Sequence, residues 1–78
     1  MDATILYISK SGKSATVKVT EKIGFILQST VGFVELDLSD PKVTYAVSQV
    51  IPLPGVSKVR KEIRKAEDGT EFGFLVFE

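Results

Sequence analysis

The stretch SATVKVT, residues 14–20, decides the fold class because its apolar and polar residues alternate without a break. Ala15, Val17 and Val19 fall on one face of an extended chain, and Lys18 falls on the other face with hydroxyl side chains. Strict alternation in a run of β-branched residues predicts a strand that is buried on one side. We therefore expect a β protein built outward from this strand.

The residues just before this strand match the end of a phosphate-binding loop. Such a loop reads Gly-x-x-x-x-Gly-Lys-Ser/Thr and leads into a helix whose N-terminus holds the phosphates. Residues 12–14 read Gly-Lys-Ser, but Tyr7 occupies the position of the first glycine, and a strand follows instead of a helix. We interpret this segment as a basic turn between two strands, with Lys10 and Lys13 on its surface.

Several further runs predict strands separated by turns, all within one domain, residues 1–78. These runs cover residues 3–9, 23–28, 31–38 and 42–50. Gly24 is predicted to form a bulge. In the run 31–38, alternation points Val34, Leu36 and Leu38 inward and Phe33 outward.

The stretch VSKVRKEIRKAEDG, residues 56–69, fits two structures. Apolar residues at helical spacing, good helix formers and a following glycine are compatible with a helix at about 57–67. However, Asp68-Gly69 is a strong hairpin signal, and the sequence EFGFLVF beyond it is typical of a strand. We favour the strand and keep the helix as the alternative.

Pairing about the Asp68-Gly69 turn determines which side chains share a face. The expected pairing places Val59, Lys61, Ile63 and Lys65 beside Phe72, Phe74 and Val76. With this hairpin the chain has six or seven short strands in 78 residues. That predicts an all-β fold, a small antiparallel OB-like barrel with a protruding hairpin, because closure removes exposed sheet edges. The alternative fold class is α+β.

The composition restricts the chemistry. The chain has no cysteine and no histidine, which removes the usual nucleophilic triads, thiolate and imidazole metal sites, and the commonest general base. Glu35 and Asp37 share a strand face, but any polar strand face offers such a pair. We predict a non-catalytic protein with no metal and no cofactor. The start MDATILYISK lacks a basic leader, and no apolar run could span a membrane, so we expect a cytoplasmic protein.

Basic and acidic residues are equal in number, ten of each, but they are segregated along the chain. Basic residues dominate 10–22 and 58–65, whereas acidic residues dominate 35–40 and 67–78. The two basic segments either form one stripe that attracts a polyanion, or they pair with acidic strands across the sheet and cancel.

Single-stranded nucleic acid binds where cations follow the phosphates and aromatic rings stack on bases. Tyr45, Phe72 and Phe74 lie on apolar faces and are predicted to be core residues. Phe25 and Phe33 are the better candidates for stacking. The predicted phosphate contacts are Lys10, Lys13, Lys22, Lys58, Arg60 and Arg64.

Four segments occur in a characteristic order: KIGFILQ from Lys22, GFVELDL from Gly32, VTYAVSQVIPLPG from Val43 and DGTEFGFLVFE from Asp68. This order resembles the gene V family, the small single-stranded DNA-binding proteins of filamentous phages. The resemblance implies an OB-type barrel with a protruding hairpin, a two-fold homodimer, and cooperative coating of single-stranded DNA in the host cytoplasm. It also implies that the DNA-binding wing contains Lys22, Gly24, Phe25 and Gln28.

A protein-interaction module is the alternative function. The neutral net charge and the acidic stretches at 35–40 and 67–71 fit a small barrel whose acidic or apolar face docks a protein partner. A phage or mobile-element protein that docks on or inhibits a host protein would have these features. Salt separates the two functions, because affinity driven by phosphate contacts falls steeply with salt and apolar docking does not.

Overall fold

The fold is a single six-stranded β-sheet without a helix, in a computed structural model that describes residues 1–78. The strands are β1 (Asp2–Ile8), β2 (Ser14–Ile23), β3 (Ile26–Glu35), β4 (Val50–Pro52), β5 (Val59–Lys65) and β6 (Glu71–Phe77). The all-β prediction is confirmed. The alternative helix at about 57–67 is wrong, because most of that segment is strand β5.

The sheet is open, in the order β4-β1-β2-β3-β6-β5. The predicted closed barrel is therefore not observed, and the sheet is not wholly antiparallel, because β3 and β6 pair in parallel at Phe33 and Phe74. The edge strands β4 and β5 are protected differently. β4 is short and ends at Pro52, and β5 carries four cations in seven residues, both of which discourage edge-to-edge association.

The core lies on the inner face of the sheet, which we define by the side chains of Ala15, Val17 and Val19. All three are buried, as their alternation predicted. They pack with four other buried side chains, those of Ala3, Ile5, Val59 and Leu75. β1 is central, as its apolar character predicted, but its register shifts between Ile5 and Tyr7. This bulge leaves Leu6 exposed.

Strands β2 and β3 form one long hairpin where the sequence predicted three separate strands, 14–20, 23–28 and 31–38. The pair runs in continuous register from Ser14 and Glu35 to Ile23 and Ile26. Gly24 is part of the two-residue turn and not a bulge. Its φ of 63° is positive while that of the following residue is not, the pattern of a type II′ turn. β3 also ends early, so Leu38 is exposed.

Most of the predicted strand at 42–50 is turn and irregular backbone, and strand β4 begins only at Val50. Its residues bond locally: the Gln49 backbone N–H donates to Ala46 O at 3.1 Å, and the Ala46 N–H donates to Gln49 Oε1 at 2.9 Å. Ser48 adopts a positive φ of 72°. Contact with β1 begins only at the end of the segment, where the Ser48 N–H donates to Ile5 O at 2.7 Å and the Ile5 N–H donates to Gln49 O at 2.9 Å.

The β5–β6 hairpin exists as predicted, but its register differs by one residue. Lys65 pairs with Glu71, which leaves a five-residue loop in which the Ala66 backbone N–H donates to Thr70 O at 2.8 Å. A shift of one residue moves every side chain to the opposite face. Consequently Arg60, Glu62 and Arg64, and not Val59, Lys61, Ile63 and Lys65, share a face with Phe72, Phe74 and Val76.

Candidate nucleic-acid interface

The outer face of the sheet, opposite the core, carries a row of side chains that crosses five strands. Consecutive members are register partners: Tyr7 with Thr16, Thr16 with Phe33, Phe33 with Phe74, and Phe74 with Glu62. Lys18 occupies the next outward position along β2. The outer face therefore combines aromatic, hydroxyl and charged groups.

Three phenylalanines form an aromatic cluster in this row, namely Phe33, Phe72 and Phe74. The ring centroids of Phe33 and Phe72 lie 5.6 Å apart, and those of Phe72 and Phe74 lie 6.4 Å apart, both edge to face. Phe33 is exposed, as predicted. Phe72 and Phe74 were predicted to be core, but the register of the β5–β6 hairpin places them half-buried on the outer face. Tyr45 does pack against the core.

A cation covers part of the cluster. The Arg64 guanidinium carbon lies 4.0 Å from the centre of the Phe74 ring, within the range of a cation–π contact. Arg64 Nε also lies 3.5 Å from Glu62 Oε1. The structure thus brings together two of the predicted site residues, Arg64 and Phe33, through Phe74.

Arg60 is held by two carboxylates. Its Nε donates to Glu78 Oε1 at 2.6 Å, and its Nη1 donates to Glu62 Oε2 at 3.2 Å. The bond with Glu78, followed by the bond with Glu62, raises the pKa of Arg60, and the same bond lowers the pKa of Glu78. These groups are exposed, so solvent screens their attraction, and a phosphate would compete with the carboxylates for the same donors.

The other predicted residues lie in separate places. Lys10 and Lys13 are in the β1–β2 turn, Lys22 and Phe25 are at the far end of β2, and Lys58 immediately precedes β5. Lys13 and Lys22 are about 30 Å apart along the strand at 3.3 Å per residue. A single compact site does not include all eight predicted residues, although an extended strand of nucleic acid can contact separated cations.

Sequence reasoning missed three outer-face residues, Tyr7, Phe72 and Phe74. Tyr7 was concealed in the apolar run of β1, whose bulge reverses the alternation after Ile5. The two phenylalanines were misplaced by the hairpin register. The usable signal was the polar character of Thr16 and Lys18, whose cross-strand neighbours must also face outward.

The end of the β2–β3 hairpin forms an apolar arm that projects beyond the core. The arm comprises residues 20–31, and Val19 is the last buried residue before it. Ile23, Ile26 and Leu27 are 54–71% exposed, and Phe25 at the tip is fully exposed. Lys22 is the register partner of Leu27 beside the tip. The residues that the resemblance assigned to a wing, Lys22, Gly24, Phe25 and Gln28, lie in this arm.

An apolar cavity of about 180 Å³ opens on the inner face. Ten residues line it, and eight are hydrophobic, among them Ala3, Val34 and Phe77. The two polar ones are the exposed acids Glu35 and Asp37. Hydrogen bonds from the Ser39 hydroxyl and backbone N–H lower the pKa of Asp37, so this acid is ionised at neutral pH.

Comparisons of the chain with protein-family models, curated proteins and solved structures gave no match. The chain offers no group of three or more acidic side chains arranged to hold a metal ion. The structure contains no helix with the length and hydropathy needed to span a lipid bilayer.

Proposed function

We propose that the protein binds single-stranded nucleic acid without sequence specificity, across the outer face of its sheet. The observation that supports this most is the aromatic cluster, because Phe33 is exposed and Arg64 lies 4.0 Å from the Phe74 ring. A base stacked on such a platform contributes about 1–3 kcal/mol whatever its identity. An aromatic surface flanked by cations is the usual combination in proteins that bind single strands.

In this proposal phosphates follow the cations on either side of the cluster. Arg64 and Lys58 lie on one side, and Lys10 and Lys13 lie in the β1–β2 turn. Arg60 contributes by exchanging its carboxylate partners for a phosphate, which offers the same bidentate geometry. Lys22 and Phe25 extend the path to the arm.

The remaining parts of the proposal come from the resemblance to the gene V family. DNA is preferred over RNA, the protein acts as a homodimer in the cytoplasm, an OB-like arrangement underlies binding, and no catalysis is involved. The arm, with Lys22 and a solvent-exposed Phe25, supports this part because it corresponds to the wing.

The test is a fluorescence-anisotropy titration of labelled oligo(dT), about 20 nucleotides long, at about 50 and 200 mM salt. We expect binding at low salt that weakens by orders of magnitude at the higher concentration. Phe33→Ala should weaken binding about 5- to 150-fold, from the loss of one stacked base. Val31→Ala is the matched control, because Val31 is a similarly exposed apolar residue on the same face of β3. No binding at low salt would refute the proposal.

A protein-interaction module is the second candidate, and the apolar arm and the acid-rimmed cavity favour it. Contiguous exposed apolar side chains on a small protein commonly mark a docking surface. If this function is correct, wild-type protein will not bind oligo(dT), and a partner will be retained with little dependence on salt.

A further inference from the structure

Two features on different parts of the molecule are complementary in shape. The arm ends in Phe25, an aromatic side chain fully in solvent. The inner-face cavity is apolar and measures about 180 Å³. A dry apolar cavity of about 150 Å³ is large enough to bind benzene, so this cavity can hold a phenyl ring.

The same two features are complementary in charge. Lys22 is exposed next to the tip of the arm, and Glu35 and Asp37 are the only charged residues that line the cavity. None of these three residues forms a salt bridge within the chain. An arriving tip would therefore bring a cation that has no ion pair to two carboxylates that have none, while its ring enters the apolar space.

The arm cannot reach the cavity of its own molecule. Phe25 lies eight residues beyond Val17, a lining residue of the cavity, which is about 26 Å along an extended strand. The β2–β3 register is unbroken up to Ile23 and Ile26, so the arm does not fold back. The tip of an arm can enter this cavity only from another molecule.

We propose that the tip of the arm of one copy inserts Phe25 into the inner-face cavity of a second copy, with Lys22 paired to Glu35 and Asp37. In the free protein Phe25 then serves self-association, and the aromatic cluster on the opposite face stays available for base stacking. The proposal does not depend on nucleic-acid binding.

Sedimentation velocity without nucleic acid tests the proposal, over about 1–300 µM protein, a span that covers weak to moderate affinities. Wild-type protein should associate as concentration rises. Phe25→Ala should raise the dissociation constant about 10- to 100-fold, the effect of leaving one large apolar side chain in water. Ile63→Ala is the control, since Ile63 is also a large exposed apolar residue but lies on edge strand β5, and it should associate like wild type.

Charge reversal gives a second, independent readout. Lys22→Glu and Glu35→Lys should each weaken association, and the double variant should recover part of it, because the opposite charges are then restored with exchanged positions. Both positions are exposed and outside the core, so the fold should tolerate the changes. Circular dichroism of each variant checks this.

A wild-type protein that stays monomeric throughout the concentration range would overturn the proposal. So would a Phe25→Ala variant that associates as strongly as wild type. The oligo(dT) titration separates the two proposals, because Phe33→Ala should weaken nucleic-acid binding without changing the sedimentation of the free protein.

Discussion

Gly32→Ala should destabilise the protein, because side-chain and backbone atoms of β6 pack directly against Gly32 of β3. A Cβ at this position would lie 2.7 Å from Leu75 Cδ2, 2.8 Å from Leu75 Cγ and 3.0 Å from the Gly73 carbonyl oxygen. Leu75 is buried, so it has little room to move. This junction also holds Phe33 beside Phe74. The substitution therefore tests the packing that holds the aromatic cluster in place.

The expected size follows from two opposing effects. Overpacking a core position costs about 1–3 kcal/mol. Alanine recovers about 0.5–1 kcal/mol, because glycine loses more conformational freedom on folding. The net loss is about 1 kcal/mol, which lowers the thermal midpoint of a domain of this size by about 4–8 °C.

Gly73→Ala is the matched control for this prediction. Its Cβ would lie 2.6 Å from Lys61 Cδ, a contact as close as that at Gly32. However, Lys61 is exposed and flexible and can move away, so the thermal midpoint should change little. In a double-mutant cycle with Leu75→Ala, the loss of stability caused by Gly32→Ala should be smaller when Leu75 is already shortened.

Thermal unfolding followed by circular dichroism measures all four proteins of the cycle and the control. The reasoning is refuted if Gly32→Ala is as stable as wild type, or if Gly73→Ala is destabilised equally. The first result would mean that Leu75 can move away from Gly32, and the second that the loss is not specific to the parallel junction.

Three further predictions concern the charged groups and the arm. Glu62→Gln should tighten oligo(dT) binding several-fold at low salt and steepen its salt dependence by about one phosphate contact, because Glu62 pairs with both Arg60 and Arg64. Glu71→Gln is the control: it removes an acid with no ion pair and should have a smaller effect. Gly24→Ala should cost about 1–2 kcal/mol in urea unfolding, since Gly24 has a φ of 63°, and an unchanged midpoint would contradict the type II′ turn. Hydrogen bonds from the Thr70 backbone N–H and hydroxyl lower the pKa of Asp68 below its ordinary 3.8. The unfolded chain therefore binds more protons, and stability is lost as pH falls from about that value through the folded-state pKa. Asp68→Asn should flatten this loss of stability in thermal scans from about pH 5 to about pH 2.

Local patterns predicted the centre of the sheet correctly. The alternation of Ala15, Val17 and Val19 identified side chains that are all buried. Such a pattern works because a strand with one buried face specifies its own orientation. The strand at Val59–Lys65 was also recovered against a competing helical pattern, because the turn and the following strand supplied it with a partner.

The prediction of a strand at 42–50 was wrong because an alternating sequence does not by itself provide a neighbouring strand to pair with. Val43 and Val47 fit an alternating pattern, yet both are exposed and lie outside any strand. The segment reaches β1 only at its end, where Ser48 and Gln49 exchange backbone hydrogen bonds with Ile5 and Val50–Pro52 pairs as strand β4. A strand needs a neighbour as well as a pattern, and the choice of neighbour is made by the whole chain.

The aromatic cluster depends on two features that no local pattern contains. One is the loop at 66–70, where the Thr70 backbone N–H donates to Asp68 Oδ1 at 2.9 Å; this longer loop shifts the register by one residue and turns Phe72 and Phe74 outward. The other is the parallel contact of β3 with β6, which requires Gly32 to have no side chain opposite Leu75. Because both features position residues of the proposed interface, a change in either should alter nucleic-acid binding without touching a residue that contacts it.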